Sequence, residues 1–231
     1  MDTILHGLLK ASGLIFSFDR ELYAIILLSL CVSGLAAIIA AALGIPLGAA
    51  CALKRFPGRS ALITLMNTFM GLPPVVAGLM VYLFLSRSGP LGFLGLLYTP
   101  SAMVIAQTVI ALPIVAALTW SAVASVGLDV RDTAVTLGAT PRMVDIRVLL
   151  EARFQVFSAV IAGFGRTMAE VGAVLIVGGN IAGYTRVMTT AIAMETGKGE
   201  FELALALGVV LLSVSFLVNM MLHLLQGNGR A

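Results

Sequence analysis

The chain has 231 residues, of which 60% are hydrophobic and only 11% are charged, far from the roughly 25% charged residues of a soluble domain. That balance excludes a soluble enzyme or binding module and identifies an integral membrane protein, with room for about five or six helices at ~20 residues per crossing. The net charge of +3 is spread over the loops that flank apolar runs, not gathered into a basic stripe with aromatics, which argues against nucleic acid as a partner.

Residues 1–21 carry Ile4, Leu5, Leu8, Leu9, Leu14 and Ile15, interrupted by Lys10 and the Asp19-Arg20-Glu21 cluster. This segment is too broken to span. It also lacks the basic start and small-residue cleavage site of a signal peptide, so it reads as a retained interfacial segment. A first span runs over about 22–53, longer than a bilayer requires, and Lys54, Arg55 and Arg59 close it. Cys31 and Cys51 lie in that span, ~30 Å apart along a helix and too far to bridge. The second span, about 61–85, is interrupted at Gly71-Leu72-Pro73-Pro74. Two consecutive prolines there remove backbone donors and leave carbonyls unpaired, which places the break beside a cavity or a neighbouring helix. A glycine-rich loop, 86–100, leads to a third span over about 101–126 that carries Gln107, Thr108 and Pro113.

Residues 129–151, DVRDTAVTLGATPRMVDIRVLLE, are the one long charged stretch between apolar spans. They read as two short helices joined at a corner. Gly138 takes the positive-φ position after a helix ending near Leu137, and Thr140 caps a second helix whose first residue is Pro141. Ala134, Val135, Leu137, Met143, Ile146, Val148, Leu149 and Leu150 then interleave with Arg131, Arg142, Asp145 and Arg147. Charge alone is ordinary for an inter-helix loop, but a two-helix corner with apolar surface suits docking onto a soluble partner.

The fourth span, about 154–178, reads as one amphipathic helix. Ala162, Gly165, Ala169, Gly172 and Ala173 share a small face expected to pack, while Val160, Phe164, Met168, Val171 and Leu175 form a large face expected to meet lipid. Arg166 and Glu170 lie at the edge of the small face, the charges deepest in the apolar mass. At mid-bilayer each costs at least ~2.5–3.5 kcal/mol unless paired or wet. Two readings stay open: an i,i+4 ion pair that neutralises itself, or an arginine facing an anion with its glutamate holding it. A loop over 179–200 and a fifth span over about 201–225 end the chain.

No His, Cys, Asp or Glu spacing suits a metal, no nucleophile can be paired with a base, and no GxxxxGK[ST] phosphate loop occurs. The chain is therefore expected to be no enzyme and to carry no cofactor, and any ATP hydrolysis must come from another subunit. An ion-coupled secondary transporter would be expected to show inverted repeats, and none is visible. With residues 129–151 placed inside, the membrane-flanking cations divide eight inside (Lys54, Arg55, Arg59, Arg131, Arg142, Arg147, Arg153, Arg230) against five outside (Lys10, Arg20, Arg87, Arg186, Lys198). That bias gives an external N-terminus and a cytoplasmic C-terminus.

Asp132-Thr133-Ala134, Gly138 and Val148-Leu149-Leu150 keep the spacing of the Glu-Ala-Ala loop and resemble that loop of bacterial ABC-type importer permeases, where it docks into a groove of the cytoplasmic ATPase. Asp132 stands where the family usually has Glu, Thr133 where it has Ala, and Glu151 where a Pro usually closes the motif. Residues 163–192, GFGRTMAEVGAVLIVGGNIAGYTRVMTTAI, and 72–79, LPPVVAGL, resemble permeases for molybdate and tungstate. With METGKGEF at 194–201, and Glu170-Val171-Gly172 where molybdate permeases more often read Glu-Phe-Gly, the likeness is to tungstate-importer permeases over nearly the whole chain.

That resemblance implies an all-α integral membrane permease of the type I ABC importer fold, one transmembrane domain over 1–231. It would have about five transmembrane helices, an N-terminal interfacial segment and a cytoplasmic coupling loop. It implies a bacterial inner-membrane homodimer with two cytoplasmic ATPase subunits and an extracytoplasmic binding protein, importing tungstate by alternating access; molybdate or a sulfate-like oxyanion is the alternative. Coupling would fall to Asp132, Thr133, Ala134, Gly138, Thr140, Pro141, Arg142 and Asp145. Arg166 and Glu170, hydroxyls such as Thr68 and Thr108, and backbone donors at the Pro73-Pro74 break would line the path.

Overall fold

The computed structural model describes Gly13 and residues 19–227, all of whose regular structure is helical. The interfacial segment expected over 1–21 lies outside the described residues except at its end. There Asp19 caps the first helix, α1 (Arg20–Leu53), by accepting the Leu22 N–H at 2.8 Å. At 34 residues α1 is about 51 Å long, against a hydrocarbon core of ~30 Å, so it tilts or protrudes as its length demands. α2 (Arg59–Met70) and α3 (Pro74–Leu85) meet at the expected Gly71–Pro74 break, bent by 106°. Pro73 and Pro74 sit at the N-cap and first-turn positions of α3. The carbonyls expected to be unpaired find local donors: Pro73 accepts from Val76 and Ala77, Thr68 from Gly71 and Phe69 from Leu72.

After a short 3-10 turn (Gly92–Leu94), α4 (Pro100–Ala124) returns through the middle of the protein. The elbow helices α5 (Leu128–Thr136) and α6 (Pro141–Glu151) lead into α7 (Arg153–Met168), with 57° between α6 and α7. α8 (Gly172–Gly178), α9 (Met188–Lys198) and α10 (Phe201–Gly227) complete the described chain. Among the described residues, α1, α4 and α10 are each long and apolar enough to cross a bilayer, and the bent pairs α2/α3 and α6/α7 bring the number to five if each pair makes one span.

The fourth span departs from the expected single helix over 154–178. It stops at Met168 and resumes at Gly172, and residues 188–198, expected as loop, are helical. The faces of this span differ from expectation as well. Met168, assigned to a lipid-facing side, is buried with Leu22, Ile25, Met188, Ala191 and Leu207, whereas Ala162, Gly165 and Ala169 of the supposed packing face are exposed in the protomer. Gly172 and Ala173 do pack, but against α3. An added Cβ at Gly78 would come within 2.6 Å of Ala173 Cα, so these two helices meet backbone to backbone.

α1 against α4 is the main seam. Gly44 and Gly48, one turn apart on α1, accept the backbone of Ala116, the Val115 and Thr119 side chains and the Trp120 N–H group at distances a side chain would occupy. Lipid tails are as apolar as leucine, so helices in a bilayer associate by close packing and not by hiding apolar surface. Met103, Ala106, Ala111, Val115 and Ala116 of α4 are buried accordingly, while Leu27, Leu35, Ile38 and Leu43 of α1 and Leu212 and Phe216 of α10 face outward.

Gly48→Leu should therefore separate α1 from α4 and cost about 1–3 kcal/mol through overpacking, while Gly34→Leu, with nothing near its Cβ position, should be tolerated. The fraction of purified protein that stays folded as dodecyl sulfate is titrated in checks this; equal loss in the two variants would refute the seam.

Candidate functional site

Two features hold the residues singled out in the sequence, one at the Leu53 end of α1 and the Ala124 end of α4 and one inside the helical mass. At the first, α5 terminates in a Schellman turn: Gly138 has φ 81°, its N–H bonds to the Val135 carbonyl at 2.9 Å, and the Ala139 N–H bonds to the Ala134 carbonyl at 3.0 Å. Pro141 starts α6 as expected. Thr140 holds the N-cap position in extended geometry, but its hydroxyl makes no capping bond, so the corner rests on Gly138 and Pro141. α6 is fixed from behind by Val148, which is fully buried with Val123 and Ala152 against Ala52 and Leu53 of α1.

Outward, the elbow presents unusual apolar surface. Leu137 is 82% exposed, and Val135, Met143, Ile146 and Leu150 are exposed with it. Ala134, Leu137, Gly138, Met143, Ile146 and Leu150 line an open groove of about 450 Å³. Asp132, Thr133, Thr140, Pro141 and Arg142 are exposed around this surface and Asp145 is half-buried. Arg147 pairs with Glu151 at 3.5 Å in water-exposed geometry, a contact that contributes little. A contiguous exposed apolar patch rimmed by charge is the kind of surface that protein or membrane contacts use.

The buried feature is Glu170, in the break between α7 and α8 and 3% exposed. Its Oε1 accepts the Ala173 N–H at 3.0 Å, so it caps α8; its Oε2 accepts from Arg166 at 3.1 Å; and its backbone carbonyl accepts the Thr189 hydroxyl at 2.7 Å. The Thr167 carbonyl takes both the Glu170 N–H and the Gln107 side-chain amide, each at 3.1 Å. The break is thus clamped by α4 on one side and α9 on the other. It also abuts the other break: a Cβ on Gly172 would meet Val75 Cγ2 at 2.9 Å and Glu170 Oε1 at 3.6 Å. Val75, which follows the Pro73-Pro74 break, and Glu170 are accordingly neighbours in space.

The remaining residues expected on the path divide. Arg166 is 34% exposed, so one side of its guanidinium is bound to Glu170 while the rest is open. Thr68 is exposed, with its hydroxyl turned back onto the Thr64 carbonyl, and Thr108 has a buried hydroxyl with no partner among the described residues. Of the polar side chains on the third span, Gln107 bridges to α7, while the Ser125 hydroxyl bonds locally to the Ala122 carbonyl. Sequence reading did not single out the clamps Ser29, whose hydroxyl accepts the Met188 N–H at 2.7 Å, or Thr189. A lone serine in an apolar run was the available signal. Ser29, Ser33, Gln107, Thr167 and Thr189 surround a void of only about 10 Å³, room for roughly one water and none for an anion. No three His, Cys, Asp or Glu side chains among the described residues are placed to hold a metal ion.

Comparison with known proteins gives one consistent answer. Residues 44–227 match the family described as "Binding-protein-dependent transport system inner membrane component". The chain is 43% identical to the tungstate uptake system permease protein TupB of Peptoclostridium acidaminophilum, over 98% of this chain and 99% of that protein. It is 45% identical to a probable anion ABC transporter permease protein of Haloferax volcanii, over 86% and 88% of the two chains. Its fold superposes on a chain of the inward-facing MetNI methionine ABC transporter with a TM-score of 0.72 at 17% identity, covering 90% of this chain and 96% of that one.

Because Glu170 caps α8 as well as pairing Arg166, exchanging the two residues cannot restore the site: an arginine at 170 offers no acceptor to Ala173. Glu170→Gln, which keeps the acceptor, should retain most of the fold. Glu170→Ala and the double exchange Arg166→Glu with Glu170→Arg should each cost about 1.5–3 kcal/mol or more. Thermal unfolding in detergent checks the order, and a double exchange as stable as the unaltered chain would remove the cap from the account.

Proposed function

This chain belongs to the binding-protein-dependent transport system inner membrane component family, and we propose from that premise that it is the membrane subunit through which an ATP-driven importer carries tungstate into the cell. What carries the reading is the elbow, a rigid corner with exposed apolar surface fixed to the inner ends of α1 and α4. Near full-length similarity to a tungstate uptake permease supports the substrate class. In this reading two copies of the chain, each acting as one translocation unit, stand on two ATPase subunits that grip the elbows through Asp132, Thr133, Ala134, Gly138, Thr140, Pro141, Arg142 and Asp145. A binding protein delivers the anion to the opposite side. The elbow is cytoplasmic, the N-terminus is outside and the C-terminus inside.

ATP closing the paired ATPases draws the elbows together and opens the path outward; hydrolysis reverses it. Along the path a dianion needs donors without a tight trap, since an ion held too strongly does not leave. Arg166, held by Glu170 with its free edge exposed, is one such donor. The hydroxyls of Thr68 and Thr108 and the backbone at the Pro73-Pro74 break are weaker ones. Discrimination among tungstate, molybdate and sulfate then resides mainly in the binding protein.

Cells lacking this gene should lose tungsten accumulation at nanomolar supply, measured by elemental analysis, and regain it with the intact gene. Unchanged tungsten and molybdenum in a deletion strain without a second importer would sink the oxyanion assignment. Gly138→Val, at a φ that costs an ordinary residue about 1–2 kcal/mol, should reach the membrane yet lose anion-stimulated ATP hydrolysis in the reconstituted complex; undiminished stimulation would refute coupling through the elbow.

A further inference from the structure

At the end of the protein opposite the elbow, α1 begins beside a loop whose conformation is unusually well fixed. Gly179, Asn180 and Gly183 all have positive φ, and the N–H groups of Tyr184, Thr185 and Arg186 converge on the single carbonyl of Ile181 at 3.0–3.1 Å. The Thr185 hydroxyl accepts the Ile181 N–H at 2.9 Å and donates to the Gly178 carbonyl at 2.6 Å. Just past the loop, Ser29 of α1 holds the Met188 N–H. Arg186 is therefore delivered to a set position against α1.

There it lines an open cavity of about 740 Å³ together with Arg20, Glu21 and Tyr184. The Arg186 Nε–H is buried with no acceptor among the described residues. Its only ion pair there is to Glu21, long at 3.6 Å, with the glutamate 64% exposed and free to swing into water. Arg20 has no carboxylate partner among the described residues. The cavity thus carries two guanidinium groups and one displaceable carboxylate. Such an arrangement leaves a buried donor unsatisfied, at a cost an incoming acceptor would recover, and guanidinium forks match oxyanion geometry.

Resting on the importer reading above, we propose that this cavity is the outer receiving site for the oxyanion: Arg186 and Arg20 take the tetrahedral dianion from the binding protein, and Glu21 turns out to solvent as it enters. Glu21 competes with the cargo for Arg186, so its removal strengthens the site. A site open to water and partly self-neutralised releases its anion inward readily, as a way-station must.

The sign of two substitutions separates this role from a structural ion pair. In vesicles holding the complete complex of permease, ATPase and binding protein, Arg186→Gln should lower uptake at limiting tungstate about tenfold or more, the usual consequence of losing a charge-assisted contact to an anion. Glu21→Gln, which removes the competitor, should raise uptake at limiting tungstate, where capture sets the rate, and Arg186→Lys should keep part of what Arg186→Gln loses. If the pair were merely a pin between the loop and α1, both glutamine variants would fall together, and that result overturns the site. A second readout needs no variant and no transport. Phenylglyoxal labelling of the complex in dodecyl maltoside, read at the peptide carrying Arg186 by mass spectrometry, should be slowed by millimolar tungstate and not by chloride. No slowing by tungstate, or slowing only on adding phosphatidylglycerol, assigns the cavity to no ligand or to a lipid headgroup and overturns the proposal. Failure of the unaltered complex to take up tungstate would instead overturn the functional reading, while the labelling still decides the site.

Discussion

The distance between α1 and α4 is set by two glycines. Gly44 and Gly48 let the Ala116 backbone approach as close as a missing side chain allows, and α4 in turn supplies one wall to α2, α3, α7 and α8. In water, burial of leucines would hold such an assembly together; in a bilayer that drive is absent, and the fold depends on contact area and on polar groups finding partners. The same logic recurs where Gly78 meets Ala173. Large apolar side chains are left to face lipid, which is why so many are exposed in the protomer.

Broken helices give the polar groups their places. Each break frees backbone groups, and some find partners within a few residues: the Pro73 carbonyl in the first turn of α3, the Ala173 N–H in the Glu170 side chain. Glu170 acts as a cap, an ion-pair partner and, through its carbonyl, an anchor for α9. A buried carboxylate is tolerable only because its acceptor sites are used in this way. What it leaves over is the outward edge of Arg166, a positive charge held in place at low cost to the fold.

Much of this was legible in the sequence where local chemistry decides the backbone. Gly138 followed by Pro141 announced the elbow, and Pro73-Pro74 announced the first break, because proline and positive-φ glycine act whatever surrounds them. The break at 169–171 contains neither a proline nor a positive φ. It is stabilised by Gln107, which is 60 positions away in the chain, and by Thr189, so periodicity carried a helix straight through it. The faces were misassigned on the near side of the break, where Met168 is buried and Ala162 and Gly165 are exposed, while Gly172 and Ala173 beyond it pack as their size predicts. Arg166 and Glu170 were found as a pair, but the second role of Glu170 as a cap was not visible without the break. The fixed position of Arg186 was hidden for a related reason: a loop's charge is easy to count, whereas its rigidity comes from three N–H groups meeting one carbonyl.

α1 has a mechanical consequence. It is one uninterrupted rod from the Asp19 cap beside the Arg186 loop to the Ala52 and Leu53 contacts behind the elbow. Pro46 removes one bond from its hydrogen-bond ladder, the one to the Ala42 carbonyl, next to the Gly44 and Gly48 contacts where α4 braces it. With the bilayer as fulcrum, a tilt of about 5° around the middle of a ~51 Å rod moves each end by roughly 2 Å in opposite directions. The elbow and the Arg186 loop are therefore at the two arms of one lever, and a small stroke at one end reaches the other at full amplitude with no joint in between to absorb it.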